Sequence, residues 1–324
     1  MLPGVGIFGT SALAKSIVII LKNCGFEIVA VWSRKVQDAA DFATEMGIPF
    51  STNKVDGLLL KPEVGFVAIV CTPHLQSPIA VKALGIGKHV FATPPAGTSQ
   101  LEVLKMVKAA TYYPSLLSMM CHGLRFLPTF TMMKQRIDEG YIGEPYLFEV
   151  RVHGGITMTE FGWECDVIMG GGALSTHGSY IIDVLYYLSS KKATSVNGLV
   201  KTYVKHTDSI KGVREITSDD FCSFQMELED GITVCCILNN HCHGEFSHEI
   251  TAVGSKGRLI ARDLDLYGKL SGDHSAKEHV LHYETHDKDE PKFSPGDTDR
   301  VPFSKGTALT PIRCIVMNDS DLYI

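Results

Sequence analysis

The sequence has few charged residues and no excess of positive ones. Charged residues make up 20% of the 324 positions, and 36 Asp and Glu outnumber 30 Lys and Arg, giving a net charge of −6. The isoelectric point is near 6.1. Proteins that bind nucleic-acid phosphates usually carry clustered Lys and Arg on a domain with an isoelectric point above about 9. We therefore expect no nucleic-acid partner.

Long hydrophobic runs are also missing. No apolar run approaches the roughly 20 residues that a membrane-spanning helix needs, so we expect no membrane span. Residues 1–21 are apolar enough to resemble a signal peptide, but Lys15 interrupts them and no charged segment precedes them. We interpret this segment as a strand and a helix of a cytoplasmic protein. Secretion to the extracellular space is the alternative, and cleavage there would delete the first strand.

The cysteines do not form the pattern of a disulfide framework. Their number is odd, nine, and they are scattered at positions 24, 71, 121, 165, 222, 235, 236, 242 and 314. Several lie inside apolar runs, which is typical of small buried side chains in a reducing compartment.

Metal-ligand spacing is missing as well. His241, Cys242 and His243, near Cys235, Cys236 and His248, have the composition of a metal site, but no Cys-x-x-Cys occurs. A strand would place residues 241 and 243 on one face and 242 on the other. The four histidines between 274 and 286 lie in a polar segment. We expect no metal.

The first 122 residues alternate apolar runs with helical patterns. Apolar runs at 5–8, 27–32, 66–71 and 88–92 end in turn residues, and helical spacing follows several of them. Continuous apolar strands that alternate with helices indicate a parallel sheet buried on both faces. We predict an α/β protein with an N-terminal Rossmann dinucleotide-binding domain at 1–122.

The rest of the chain changes character. Strands are predicted at 147–152, 195–204, 220–228 and 232–239, and helices at 129–139 and 173–188. This pattern predicts a C-terminal α+β domain at 123–266 with an open, mostly antiparallel sheet. Residues 267–324 form an atypical polar tail, expected to be a long loop or partly disordered.

The turn after the first strand is a candidate phosphate site. Gly9-Thr10-Ser11-Ala12-Leu13-Ala14 has small residues where dinucleotide-binding turns have Gly-x-Gly-x-x-Gly, but the middle glycine is replaced by Ser11. Its Cβ would crowd the pyrophosphate, while its hydroxyl could contact a phosphate. The alternative is that any tight strand-to-helix turn favours such residues.

The end of the second strand distinguishes the cofactors. An acidic residue there binds the ribose 2′-hydroxyl of NAD, whereas Arg accommodates the 2′-phosphate of NADP. The chain has Ser33-Arg34-Lys35. This favours NADP, with NAD as the alternative; the other interpretation of the basic pair is a solvated loop.

Nine motifs occur in the order typical of one enzyme family. They are the segments 6–10, 31–34, 69–73, 83–90, 124–128, 139–145, 170–174, 180–183 and 253–259. Through them the chain resembles the glucose-fructose oxidoreductase and inositol dehydrogenase (GFO/IDH/MocA) family, most closely its animal branch. The resemblance implies NAD(P)-linked oxidation or reduction of a sugar-like or cyclitol substrate, and a homodimer formed through the open sheet. It also implies cofactor contacts at Thr72, Pro73 and Thr93.

The chain departs from the family pattern at reactive positions. Active members carry Glu-Lys-Pro where this chain has Thr93-Pro94-Pro95, so the substrate-positioning lysine is absent. Thr176 replaces an Asp on the helix after the glycines, and Tyr180 stands at the position of the catalytic His or Tyr. Asp183 completes the family's pattern.

The resemblance and the helical spacing give Tyr180, His177 and Asp183 as candidate catalytic residues. Thr176, Tyr180 and Asp183 share one helix face, so Tyr180 could act as the proton donor with Asp183 beside it. A tyrosine with a pKa near 10 is a poor base without a neighbouring cation. His177 is a further acid/base candidate, and its alternative role is that of a buried structural histidine.

Two functional hypotheses follow. The first is an NADP(H)-binding oxidoreductase acting on a CH–OH or carbonyl group. The second is a catalytically silent family member, a pseudoenzyme that binds dinucleotide and serves as a structural or partner-binding protein. Residues 303–324 lack the helices with which the family continues, so we expect a truncated or alternatively ended form.

Overall fold

The structure is a computed structural model that describes residues 2–155, 161–206, 215–242, 246–273 and 277–283. Its contacts divide these residues into two compact units. The first contains residues 2–122 with Ile168–Gly170, and the second contains the remaining described residues.

The first unit is built around sheet A, which has strand order β3-β2-β1-β4-β5-β6 with all strands parallel. Its strands are β1 Gly4–Phe8, β2 Ile28–Trp32, β3 Ser51–Thr52, β4 Val64–Ile69, β5 His89–Ala92 and β6 Ser118–Met120. Its helices are α1 Ala12–Asn23, α2 Val36–Met46, α3 Val55–Leu59, α4 Pro73–Gly85 and α5 Gln100–Tyr112.

Apolar side chains bury both faces of sheet A. One core joins the sheet to α1 and α2 through residues such as Ile17 and Phe42. The other joins it to α3 and α4 through residues such as Leu58 and Ile79. Strands covered on both faces explain the continuous apolar runs in the sequence, and the predicted Rossmann architecture is confirmed.

The second unit contains sheet B, with strand order β14-β13-β12-β11-β7-β10-β9-β8. Its strands are β7 Pro145–Gly155, β8 Ala193–Lys201, β9 Phe221–Leu228, β10 Thr233–Cys242, β11 Ser247–Gly254, β12 Gly257–Arg262, β13 Asp265–Leu270 and β14 His279–His282. The β7–β10 pair is parallel and the other pairs are antiparallel, as predicted for a mostly antiparallel sheet.

Helices cover one face of sheet B. They are α6 Pro128–Asp138 and α7 Ser179–Ser189, the latter preceded by a π-helical turn at Leu174–Gly178. Phe130, Val184 and Leu188 of these helices pack with Phe148 and Leu238 of the sheet in one core. On the opposite face the side chains of Glu149, Arg151 and Ile237 are exposed.

The polar tail predicted from residue 267 starts inside β13. Strands β13 and β14 pair antiparallel and extend sheet B to His282. The prediction was wrong for these residues. Strands at the edge of a sheet with one face in solvent carry many polar side chains, so their sequence resembles that of a polar loop. Residues 284–324 lie outside the described residues.

Candidate functional site

The carboxyl ends of four strands of sheet A lie at one edge. Phe8, the last residue of β1, is paired with Trp32 of β2 and with Ile69 of β4, and Ile69 is paired with Ala92 of β5. Strand β1 lies between β2 and β4, so the connections diverge between β1 and β4. In open α/β sheets, ligands bind in the crevice at such a switch point.

The turn after β1 has the geometry of a phosphate-binding turn. Gly9 has φ of +129°, and a Cβ there would lie 2.6 Å from the carbonyl oxygen of Val70. Only glycine fits this close approach. Thr10, Ala12 and Leu13 are half-buried around the start of α1, whose N-terminal N–H groups favour an anion.

Ser11 has a structural role that the sequence did not reveal. It is the N-cap of α1, and its hydroxyl oxygen accepts a hydrogen bond from the Ala14 N–H at 3.3 Å. The hydroxyl hydrogen remains available to donate, because a serine can donate and accept at once. Replacement of the middle glycine therefore gives the helix a cap and leaves a donor at the turn.

Ser33 and Arg34 directly follow β2 at the same edge of sheet A. The N–H of Gly9 donates to the Trp32 carbonyl at 3.0 Å, which fixes the end of β2 beside the phosphate turn. Ser33 is buried and Arg34 is exposed. Binding of the ribose 2′-hydroxyl of NAD would require a carboxylate directly after β2, and the chain has none at Ser33, Arg34 or Lys35.

Thr72, Pro73 and Thr93 follow β4 and β5. Thr72 is the N-cap of α4, and Pro73 occupies its first position, where proline is well tolerated. Thr93 is buried, and its hydroxyl donates to the Ile69 carbonyl at 3.4 Å. The three residues thus lie at the edge where the resemblance implies cofactor contacts.

Two buried polar atoms near the start of α4 lack a hydrogen-bond partner among the described residues. They are His74 Nδ1 and Gln76 Oε1. The Gln76 amide nitrogen donates to the Cys71 carbonyl at 3.1 Å, and the side chain is 1% exposed. Buried polar groups are normally satisfied, so these atoms suit a polar ligand. Together with the Gly9 turn, they fit a dinucleotide.

The missing lysine is not replaced by Lys88. That side chain lies at the amino end of β5, where its ammonium donates to the carbonyls of Val64 and Lys61. This is the edge opposite to Thr93 and Pro94.

In the second unit, Thr176, Tyr180 and Asp183 are half-buried at intervals of four and three residues along the π turn and α7. Tyr180 packs against the core of the unit. Single π turns inside helices are frequent at functional sites.

Asp183 is engaged by Arg125. The Nε of Arg125 donates to Asp183 Oδ2 at 3.0 Å, and Nη2 donates to Oδ1. The same guanidinium lies 5.6 Å above the ring of Tyr187. A carboxylate held by a bidentate arginine has a fixed position, so Asp183 helps to orient α7, and its catalytic role stays a prediction.

His177 is neutral at physiological pH. Burial lowers the pKa of its imidazole from 6.5 to about 4. The ring stacks on Phe246 with centroids 5.9 Å apart, and Nδ1 lies 3.3 Å from the Thr176 hydroxyl. That hydroxyl donates to the Gly172 carbonyl at 2.7 Å, so its contact with His177 favours the Nδ1–H tautomer. His177 therefore cannot act as a cationic acid near pH 7.

Asp219 and Arg125 belong to this site and were missed from the sequence. The Asp219 carboxylate accepts from the Leu174 N–H at 2.8 Å, and its backbone carbonyl accepts from the Ala173 N–H at 2.8 Å. Burial raises the pKa of the carboxyl. Asp219 comes 45 residues after the helix start that it caps, and no local pattern marks such a contact.

The structure tests part of the cluster of histidines and cysteines near residue 240. Among the described residues, no three His, Cys, Asp or Glu side chains are grouped to hold a metal ion. Cys236 lies in the core and Cys235 on the opposite face of β10, while His243 lies outside the described residues.

Comparisons with known proteins agree with this geometry. Residues 4–120 match the oxidoreductase family with NAD-binding Rossmann fold, and residues 130–260 match the GFO/IDH/MocA C-terminal domain. The chain is 50% identical over 270 residues to glucose-fructose oxidoreductase domain-containing protein 1 of Xenopus tropicalis, covering 83% of this chain and 69% of that protein. The chain belongs to the GFO/IDH/MocA family.

A further relative and a solved structure extend this picture. The human glucose-fructose oxidoreductase domain-containing protein 2 is 44% identical over 270 residues, covering 83% of this chain and 70% of its own. Levoglucosan dehydrogenase, solved with NADH and levoglucosan, has a TM-score of 0.80 at 19% identity, covering 96% of this chain and 87% of its own. That likeness confirms the fold predicted from the sequence. No helix in the described ranges has both the length and the apolar character needed to cross a membrane.

Proposed function

We propose that this GFO/IDH/MocA protein is an NADP(H)-dependent oxidoreductase of a sugar-like or cyclitol CH–OH or carbonyl group. The observation that carries the cofactor proposal is the buried Ser33 followed by the exposed Arg34 at the end of β2, beside the Gly9 turn. A guanidinium there pairs with a 2′-phosphate, which NAD lacks.

Different residues of the first unit would bind different parts of the dinucleotide. Gly9, Thr10, Ser11, Ala12 and Leu13 would hold the pyrophosphate at the start of α1. Arg34 and Ser33 would hold the 2′-phosphate, and Thr72, Pro73 and Thr93 would line the crevice beyond β1. When bound, the nicotinamide supplies hydride chemistry.

Tyr180 is our candidate proton donor to the substrate oxygen. It lies on the helix that Asp219 caps and that Arg125 anchors through Asp183. A tyrosine hydroxyl can donate its proton to a substrate carbonyl in the reducing direction. His177, neutral and stacked on Phe246, serves as a packing or accepting group.

The cofactor proposal is tested by titrating NADPH into the wild type and into Arg34→Ala. Loss of the 2′-phosphate contact should weaken NADPH binding by about tenfold or more, which corresponds to one charge-assisted interaction. NADH binding should stay the same. Lys108→Ala, a change of an exposed cation on α5, is the matched control. Equal NADPH affinity in all three proteins would contradict the proposal.

The second candidate function is a catalytically silent dinucleotide-binding protein. The observation that favours it is the loss of two reactive groups, the lysine replaced by Pro94 and the Asp replaced by Thr176. Absorbance at the nicotinamide band separates the two candidates. Turnover of levoglucosan, myo-inositol or glucose with NADP⁺, reduced at least tenfold in Tyr180→Phe, supports the enzyme, and NADPH binding without turnover supports the silent protein.

A further inference from the structure

His122 is a titratable side chain at the carboxyl edge of sheet A to which no role has been assigned. Strand β6 pairs with β5 up to Met120 opposite Ala92, and the Cys121 N–H donates to the Ala92 carbonyl at 2.8 Å. His122 and Pro94 each lie two residues beyond this last pair. The histidine is half-buried. His122 therefore follows β6 next to Pro94, the residue that stands where active family members have the lysine.

The strand order places His122 on the nicotinamide side of the crevice. Arg34 follows β2, the phosphate turn follows β1, and β4, β5 and β6 lie on the other side of β1. A dinucleotide whose 2′-phosphate meets Arg34 and whose pyrophosphate meets Gly9 must extend its second half toward β4, β5 and β6. The reactive end of the cofactor is thus directed to the edge that carries His122.

We propose that His122 accepts the hydroxyl proton of the substrate, in place of the lysine missing at Pro94. This inference rests on the proposed function. In the oxidising direction, the O–H proton passes to a ring nitrogen of His122 as the carbonyl forms. The hydride released from the same carbon is taken up by the oxidised nicotinamide dinucleotide, and the imidazolium returns its proton to water.

An imidazole suits this task at neutral pH. Histidine side chains change their charge near neutral pH, so a neutral imidazole can accept a proton there, which a protonated tyrosine cannot do. With His122 as the proton acceptor in oxidation and the donor in reduction, the reaction does not require an ionised tyrosine. Proton transfer from the substrate then does not require a lysine beside Tyr180.

The test is NMR titration of the His122 imidazole in the full-length protein, with the signal assigned by its loss in His122→Asn. The pKa of His122 is measured in the free protein and when saturated with either NADP⁺ or 2′-phospho-ADP-ribose. Both ligands carry the 2′-phosphate, but only NADP⁺ carries the cationic nicotinamide. That cation should lower the pKa of His122 by about one unit relative to the 2′-phospho-ADP-ribose complex.

His89 is the matched control, because it lies at the opposite end of β5 and accepts the Leu117 N–H at 3.0 Å. Its pKa should be the same in both complexes. Equal His122 pKa values in the two complexes would overturn the assignment of His122 while leaving the NADP site intact. Failure of both ligands to bind would overturn the proposed function and the assignment with it.

Discussion

At the scale of single residues, side chains that the sequence groups together take different roles. Asp183 and His177 are both helix residues next to Tyr180, yet one pairs with an arginine and the other is held neutral by burial. Helical spacing could place these residues on nearby faces, but it could not show what faces them. Arg125 is 58 positions away from Asp183 along the chain.

Burial of His177 should make stability depend on pH. Its pKa is about 4 in the folded protein against the ordinary 6.5, so the unfolded chain binds more protons as pH falls. The contribution to stability is complete above pH 6.5 and is lost as pH falls toward 4. The free energy of unfolding should fall between pH 7 and pH 5 in both proteins. In His177→Gln this fall should be smaller than in the wild type, by about 2 kcal/mol.

Urea unfolding at the two pH values measures this difference. Between the two pH values, His206→Gln, which changes an exposed histidine, should lose as much stability as the wild type. A pH dependence unchanged in His177→Gln would show that the imidazole is not buried in the neutral form.

The Asp183–Arg125 pair should contribute more to stability than an exposed ion pair. Asp183→Asn weakens a bidentate contact of a half-buried carboxylate, and we expect a loss of about 2 kcal/mol in the free energy of unfolding. Asp138→Asn breaks an exposed pair with Lys134 and should cost less than about 1 kcal/mol. Equal losses in chemical denaturation would contradict the positioning role of Asp183.

At the scale of elements, sequence patterns predicted strands buried on both faces better than strands at sheet edges. The apolar runs of β1, β2 and β4 mark a parallel sheet, whereas β13 and β14 were assigned to a polar tail. The parallel pairing of β7 with β10 joins segments about 85 residues apart, and no local signal encodes it. The π turn before α7 likewise leaves no mark in the spacing of apolar residues.

The phosphate turn offers a prediction at this scale. Gly9→Ala places a Cβ 2.6 Å from the Val70 carbonyl oxygen and strains a residue with positive φ. We expect the free energy of unfolding to fall by at least about 2 kcal/mol. We also expect NADPH binding to become too weak to measure. Gly87→Ala is the matched control, because Gly87 also has positive φ but no atom within 4 Å of the added Cβ. It should cost about 1 kcal/mol and leave NADPH affinity unchanged.

Thermal unfolding and NADPH titration of both variants provide the measurement. If Gly87→Ala were as damaging to cofactor binding as Gly9→Ala, the close approach at the turn would not be the cause.

At the scale of the whole molecule, the resemblance to the family implies a homodimer through the open face of sheet B, and this stays a prediction. Ile237 lies on that face between Ser223 and Arg151, and its side chain is 38% exposed. Ile237→Glu should shift sedimentation toward the monomer, because it would bury a charge in the interface. Leu101→Glu, on exposed α5, should not. A wild type that sediments as a monomer at micromolar concentration would contradict the prediction.

The proposed function depends on a working NADP site in the first unit. The most direct measurement is the ratio of the NADH and NADPH dissociation constants of the wild-type protein, obtained by isothermal titration. We predict that NADPH binds at least about tenfold more tightly than NADH, through the contact of Arg34 with the 2′-phosphate. Equal affinity for the two cofactors, or no binding of either, would contradict it.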